Sequence, residues 1–193
     1  MSSIFSLSTK IQIVPIPSGG EIEIEFFEPT YIPNFHDDAN PSKTPLVILL
    51  HGVSGSSKEP YIEQAALQIV TDYKWRAVAF NYGKISVHLN KSPSSKSMPR
   101  ILQGGNNFVD VGDLNFLVSF LRRTHQGFIA AVGFSMGGAK LVHFLGRAKD
   151  CSNLNAACSI SSPLDYTEKN VTVVPSNPIH RFYHFAISSA RKL

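Results

Sequence analysis

The sequence predicts an α/β fold in which an N-terminal antiparallel hairpin is followed by repeated strand–helix units of a mostly parallel sheet. Short, wholly apolar runs recur at Leu46–Leu50, Ala77–Phe80 and Phe128–Val132, with a weaker fourth at Ala156–Ile160. Segments of helical period separate them, with Ile62, Ala65, Ala66, Ile69 and Val70 in one and Leu114, Leu117, Val118 and Leu121 in another. Strands that are apolar on both faces and alternate with amphipathic helices belong to a parallel sheet covered on both sides. Ahead of them, Glu21-Ile22-Glu23-Ile24-Glu25-Phe26 alternates charged and apolar residues with period two. Ser18-Gly19-Gly20 parts it from Ile11-Gln12-Ile13-Val14, the pattern of a hairpin with one wet face.

With 193 residues, 43% of them apolar and 17% charged, the chain is expected to form one globular domain over 1–193. Residues 28–45 hold four prolines together with Asn34, Asp37, Asp38 and Asn40, a composition that interrupts ladders and helices and predicts a loop. Residues 83–108 carry Lys84, Lys91, Lys96 and Arg100 without an acidic residue. This stretch is read as a basic, variable surface loop, with contact to an anionic lipid surface or a charged acyl substrate as the alternative. Its basic residues sit among Ser and Pro rather than on a helix face, which argues against nucleic acid as a partner.

No apolar run approaches the roughly 20 residues of a membrane-spanning helix. Met1–Lys10 lacks the charged and apolar regions of a signal peptide. Cys151 and Cys158 show neither metal-ligand nor redox spacing, which fits a reducing compartment. A cytoplasmic location is expected, with membrane association through the basic loop as its variant.

The chemistry concentrates at Gly133-Phe134-Ser135-Met136-Gly137-Gly138, which follows the apolar run Phe128–Val132 and precedes a helical pattern of Ala139, Val142, Phe144 and Leu145. Strand, sharp turn and helix in that order lift a serine hydroxyl out of the sheet, and small neighbours are needed for the turn to close. Ser135 is the candidate nucleophile, Gly133 and Gly137 are the glycines that let the segments pass, and the N–H of Met136 is one candidate oxyanion donor at the positive end of the helix. The run Leu46–Leu50 leads into His51-Gly52-Val53-Ser54-Gly55-Ser56-Ser57, where Gly52 allows a turn that can aim the N–H of Val53 at the same point. His51 is read as a loop residue bonded to its own turn. Ser54, Ser56 and Ser57 are read as turn and N-cap residues of a helix over Tyr61–Thr71.

Taken together, His51-Gly52-Val53-Ser54-Gly55-Ser56-Ser57-Lys58-Glu59-Pro60-Tyr61-Ile62, Ala79-Phe80-Asn81-Tyr82, Ala131–Gly138 and Ile160-Ser161-Ser162-Pro163-Leu164-Asp165 resemble the YheT/EMB8-like branch of the α/β hydrolases. That branch includes mammalian ABHD proteins and yeast medium-chain ester synthases. The resemblance spans about Pro45–Asp165. It implies an α/β-hydrolase fold and a serine hydrolase acting on carboxylic esters, either acylglycerols or short- to medium-chain fatty acyl esters. Acyl transfer to an alcohol is the alternative chemistry, and no cofactor is implied. The sequence departs from the pattern at Gly83-Lys84, where relatives carry an Arg-Gly pair.

In this fold the triad acid and histidine follow the nucleophile on later strands, and the sequence ends at Leu193. The expectation is therefore a fold truncated after about the sixth strand. Asp165, His180 and His184 occur in the right order to complete a compact triad. The competing reading makes Asp165 a turn or cap-region residue and the histidines ordinary members of a helix over Ile179–Arg191. His143, and Asp110 with Asp113 at the start of an amphipathic helix, are read as structural. An unpaired edge at Ala156–Ile160 would favour self-association. The rival to an esterase is a catalytically incomplete hydrolase fold, serving as a binding or interaction protein or representing a partial gene product.

Overall fold

The structure, a computed structural model, describes residues 7–16, 21–29, 42–53, 55–81 and 111–164. The basic run 83–108, the helix expected over Ile179–Arg191, and Asp110, Asp165, His180 and His184 lie outside the described residues. Six strands form one sheet: β1 (Leu7–Pro15), β2 (Glu21–Pro29), β3 (Leu46–Leu50), β4 (Arg76–Asn81), β5 (Ile129–Phe134) and β6 (Ala156–Ile160). Three helices connect them: α1 (Pro60–Thr71), α2 (Gly112–Thr124) and α3 (Met136–Ala148). The strand order is β1-β2-β4-β3-β5-β6. The β1–β2 and β2–β4 pairs are antiparallel, whereas β3–β4, β3–β5 and β5–β6 are parallel.

Every residue of β3 is buried, and its side chains alternate between two cores. Ile48 and Leu50 join Val78, Phe80, Ile129 and Ala131 under Leu117 and Leu121 of α2 and Leu141 and Phe144 of α3. Val47 and Leu49 join Ala77 and Ala79 under Ile62, Ala66 and Val70 of α1. The helical stripes seen in the sequence are these contact faces, so α1 covers one side of the sheet while α2 and α3 cover the other. The chain leaves β3 through α1 to reach β4 on one flank, and the next parallel strand, β5, lies on the opposite flank. Strand order thus reverses about β3, and the carboxyl ends of the strands at such a switch point are where α/β sheets bind ligands.

Several local expectations change. Strand β2 runs through Pro29, so Glu28 and Pro29 extend the ladder instead of opening the loop expected over 28–45. Strand β5 starts at Ile129, one residue after the exposed Phe128, and continues to Phe134. Helix α1 starts at Pro60, a residue pre-set for the first helical position, with Glu59 as its N-cap. Ser57 therefore does not cap it, while Ser56 behaves as a turn residue whose Oγ accepts the Lys58 N–H.

The wet face expected for β2 fails at Glu25, which is completely buried. Its carboxylate accepts hydrogen bonds from the Ser57 hydroxyl and, at 2.5 Å, from Lys58 Nζ. Asn81, at the end of β4, closes the network: its Oδ1 accepts the Ser57 N–H at 2.7 Å and its Nδ2 donates to Glu23 Oε1 at 2.8 Å. Strand alternation could not reveal that the loop after β3 folds back over this face and brings a cation and a hydroxyl with it.

Burial pushes the Glu25 carboxyl up, but hydrogen bonds from Lys58, Ser57 and Thr9, with the Lys58 charge, outweigh it and hold the group below its ordinary value. A carboxylate depressed in the folded state contributes stability above its unfolded pKa, near about 4.3, and loses it as pH falls through the folded value. Glu25→Gln should therefore lower stability at pH 7 by about 1.5–3 kcal/mol, with the gap to wild type closing in acid. Urea unfolding of both proteins between pH 7 and pH 3 measures this. A gap that stays constant across that range would show that ionised Glu25 is not the stabilising species.

Candidate active site

Ser135 occupies the turn between β5 and α3 with φ 51° and ψ −117°. A non-glycine residue held in a sparsely populated backbone region costs on the order of 1–3 kcal/mol and persists only where its surroundings enforce it. Here the Ser135 N–H donates to the Ile160 carbonyl at the end of β6 (2.9 Å), and its own carbonyl accepts the Ala139 N–H in the first turn of α3 (3.0 Å). The apolar run of β5 thus ends in a turn that its neighbouring strand and its own helix both hold. Met136 is the first residue of α3, where a backbone N–H has no intrahelical carbonyl to bond and the helix dipole is positive.

Two glycines make the turn sterically possible. A Cβ on Gly133 would lie 2.6 Å from the Gly137 carbonyl, and a Cβ on Gly137 would lie 2.5 Å from the carbonyl oxygens of both Leu50 and His51. The start of α3 is therefore seated directly on the end of β3. This contact brings the loop after β3 against the serine: a Cβ on Gly52 would be 3.5 Å from Ser135 Cβ.

That loop is tightly specified. The Gly52 carbonyl accepts hydrogen bonds from His51 Nδ1 at 2.7 Å and from the Gly55 N–H at 3.3 Å. A carbonyl can only accept, so the His51 proton resides on Nδ1. The Gly52–Val53 peptide is trans, so fixing the Gly52 oxygen on one side directs the Val53 N–H to the other. The Gly52 N–H is itself occupied, donating to the Tyr61 hydroxyl at 2.9 Å. Tyr61 stands on the first turn of α1, and its ring packs on Phe134 with centroids 5.1 Å apart.

The described histidines serve other purposes. His51 is buried and bonded to its own turn. His143 lies seven residues into α3, about 10 Å along its axis from the elbow. His125 follows α2 at the opposite end of the strands, about 20 Å from Ser135 by the length of β5. Burial first, then the charges of Arg76 and Arg122, push the His125 imidazole below its ordinary pKa. Among the described residues no histidine hydrogen-bonds the Ser135 hydroxyl. Asp113 lies in the first turn of α2. Sequence reasoning assigned no part in this site to Tyr61, whose hydroxyl bond has no periodic or spacing signature.

The seat of α3 on β3 can be tested by paired substitutions in one helix. Gly137→Ala should cost about 1–3 kcal/mol through overpacking. Gly146→Ala, where nothing lies within 4 Å of the new Cβ, should be neutral or stabilise by up to about 1 kcal/mol. Denaturant midpoints measure both, and equal midpoints for the two variants would contradict the close approach.

No family model matches the chain. It is similar to an abhydrolase domain-containing protein of Dictyostelium discoideum, with 29% identity over 167 residues that cover 84% of this chain and 38% of the relative. It is also similar to a monoacylglycerol lipase of Saccharomyces cerevisiae, with 25% identity over 221 residues that cover 96% of this chain and 46% of the relative. The chain thus spans less than half the length of these curated relatives. Among solved structures, the Pyrococcus furiosus esterase Pf2001 superposes with a TM-score of 0.58 at 16% identity, covering 96% of this chain and 63% of that one. The sheet order, the strand–turn–helix at its switch point and the structural superposition identify the fold as that of the α/β hydrolases, and the chain is similar in sequence to proteins of that kind.

Proposed function

We propose that the chain carries the nucleophile and oxyanion side of a serine hydrolase acting on carboxylic esters, and that it belongs to the YheT/EMB8-like branch. The observation that carries this reading is Ser135 at positive φ on the strand–helix turn, with the Gly52–Val53 loop packed against it. Ser135 Oγ attacks the acyl carbonyl, its proton passes to a histidine acting as general base, and the carbonyl electrons move onto oxygen. The N–H groups of Val53 and Met136 receive that oxyanion. Collapse of the tetrahedral intermediate breaks the ester bond, and the alcohol leaves with the proton. Water then repeats the sequence on the acyl-enzyme and releases the acid. Acylglycerols or short- to medium-chain fatty acyl esters are the proposed substrates, a choice supported by the monoacylglycerol lipase relative. No step needs a cofactor.

A fluorophosphonate probe tests the nucleophile, since it forms a stable adduct with an activated serine and needs no turnover. A form of the protein that includes the later strands with the general base should be labelled on the peptide containing Ser135, and Ser135→Ala should abolish labelling. Adduct formation on another serine, or labelling that survives Ser135→Ala, overturns the assignment.

The donor loop has its own test. A Cβ on Gly52 would already sit at contact distance, 3.4 Å from Tyr61 Oη and 3.5 Å from Ser135 Cβ, so the branched carbons of valine are expected to press on the loop and the serine. Gly52→Val should slow the reaction by about 10²-fold or more, the effect of losing one oxyanion donor, whereas Gly52→Ala should lose far less. A folded Gly52→Val protein reacting at the wild-type rate would place the second donor elsewhere.

A further inference from the structure

Tyr61 is 38% exposed, and its ring alone would satisfy the packing on Phe134, as a phenylalanine would. Its hydroxyl does something that packing does not require. It lies 2.9 Å from the Gly52 nitrogen, whose N–H it accepts, and within 3.3 Å of the position a Cβ would take on Gly55. A phenolic oxygen that accepts one hydrogen bond still keeps its own proton to donate.

The surroundings define what this bond accomplishes. Gly52 is held at both ends, by Tyr61 through its N–H and by His51 and Gly55 through its carbonyl. The Gly52 N–H is consumed by Tyr61, and the Val53 N–H points away from the clamped Gly52 oxygen across the trans peptide. The same ring rests on Phe134, the residue before Ser135. One side chain on α1 therefore touches both the donor loop and the strand that delivers the nucleophile. Oxyanion donors are effective in proportion to how well they are fixed before the reaction, and a displacement of about 1 Å can cost on the order of 10²-fold.

We propose that Tyr61 is a positioning residue whose hydroxyl fixes the His51–Gly52 peptide, and that by holding Gly52 on this side, while His51 and Gly55 hold its carbonyl, it pre-sets the orientation of the Gly52–Val53 peptide that carries the oxyanion donor. The inference rests on the assignment of Ser135 and Val53 made above. Tyr61 acts through Gly52 rather than on the substrate, and its effect belongs to the bond-forming step and not to substrate capture.

The test uses the same form of the protein and its Tyr61→Phe variant, which deletes only the hydroxyl and keeps the ring on Phe134. Concentration-dependent fluorophosphonate labelling separates the limiting rate of adduct formation from the affinity of the preceding complex. Tyr61→Phe should lower the limiting rate about tenfold while leaving the affinity and the melting temperature near wild type. Backbone amide exchange followed by NMR should be faster at Gly52 and Val53 in the variant, a readout independent of activity. An unchanged limiting rate with Ser135 still labelled overturns the role of Tyr61 and leaves the nucleophile standing. A slower reaction explained by weaker affinity and a lower melting temperature, or unchanged exchange at Gly52, also overturns it. Failure of wild type to label at Ser135 removes the parent assignment and this inference together.

Discussion

The close seat of α3 on the end of β3 is the constraint from which the other features of the candidate site follow. Gly137 lies where any side chain would collide with the carbonyl oxygens of Leu50 and His51. Because the helix can come this close, its first residues approach the point where β3 gives way to the loop that follows it. A wider separation would leave the elbow and the loop as two unrelated turns on one edge of the sheet. The positive φ of Ser135 is the geometric consequence, since the chain must reverse from a strand into a helix within one residue. The strain is sustained by bonds to Ile160 and Ala139, which belong to elements already fixed by packing.

The loop after β3 depends on a second set of restraints, most of them polar. Within it, His51, Gly55 and Tyr61 fix the Gly52 peptide. Beyond it, Ser57 and Lys58 are tied to the buried carboxylate of Glu25 on β2, and Asn81 joins Ser57 to the end of β4. Such a network resists displacement because each buried member would be left unsatisfied if the loop moved. The N-terminal hairpin therefore contributes to the candidate site without reaching it: β2 supplies the anchor for the segment that leads from the loop after β3 into α1. Hydrophobic burial sets the sheet and its helices, while hydrogen bonds determine which way a single peptide faces.

Fold and chemistry were unequally legible in the sequence, for physical reasons. Apolar runs such as Leu46–Leu50 are readable because a strand buried on both faces excludes polar side chains, and α2 is readable because its buried residues recur at helical spacing. Glu25 reads as a solvent-facing residue because strand alternation records only which face a side chain takes. Whether that face is wet depends on a loop more than 30 residues away in the chain. The sequence reads Ser57 only as a turn or cap residue for the same reason: it lies in a turn, but its hydrogen-bond partners, Glu25 and Asn81, are distant in sequence.

The sequence by itself determined the architecture of alternating strands and helices, the turn that carries Ser135, and the need for small residues at Gly133 and Gly137. These features are encoded locally, in side-chain period and in the backbone freedom that glycine retains. Only the tertiary structure decided that the Gly52 N–H is spent on Tyr61, that the His51 proton sits on Nδ1 facing the Gly52 carbonyl, and that His51 and Gly55 clamp the peptide between Gly52 and Val53 through its oxygen. A hydrogen bond between a backbone group in one loop and a side chain on the next helix leaves no periodic trace in the sequence. Its existence depends on where packing brings the two segments, and that packing is decided by the seat of α3 on β3 and of α1 on the opposite face of the sheet.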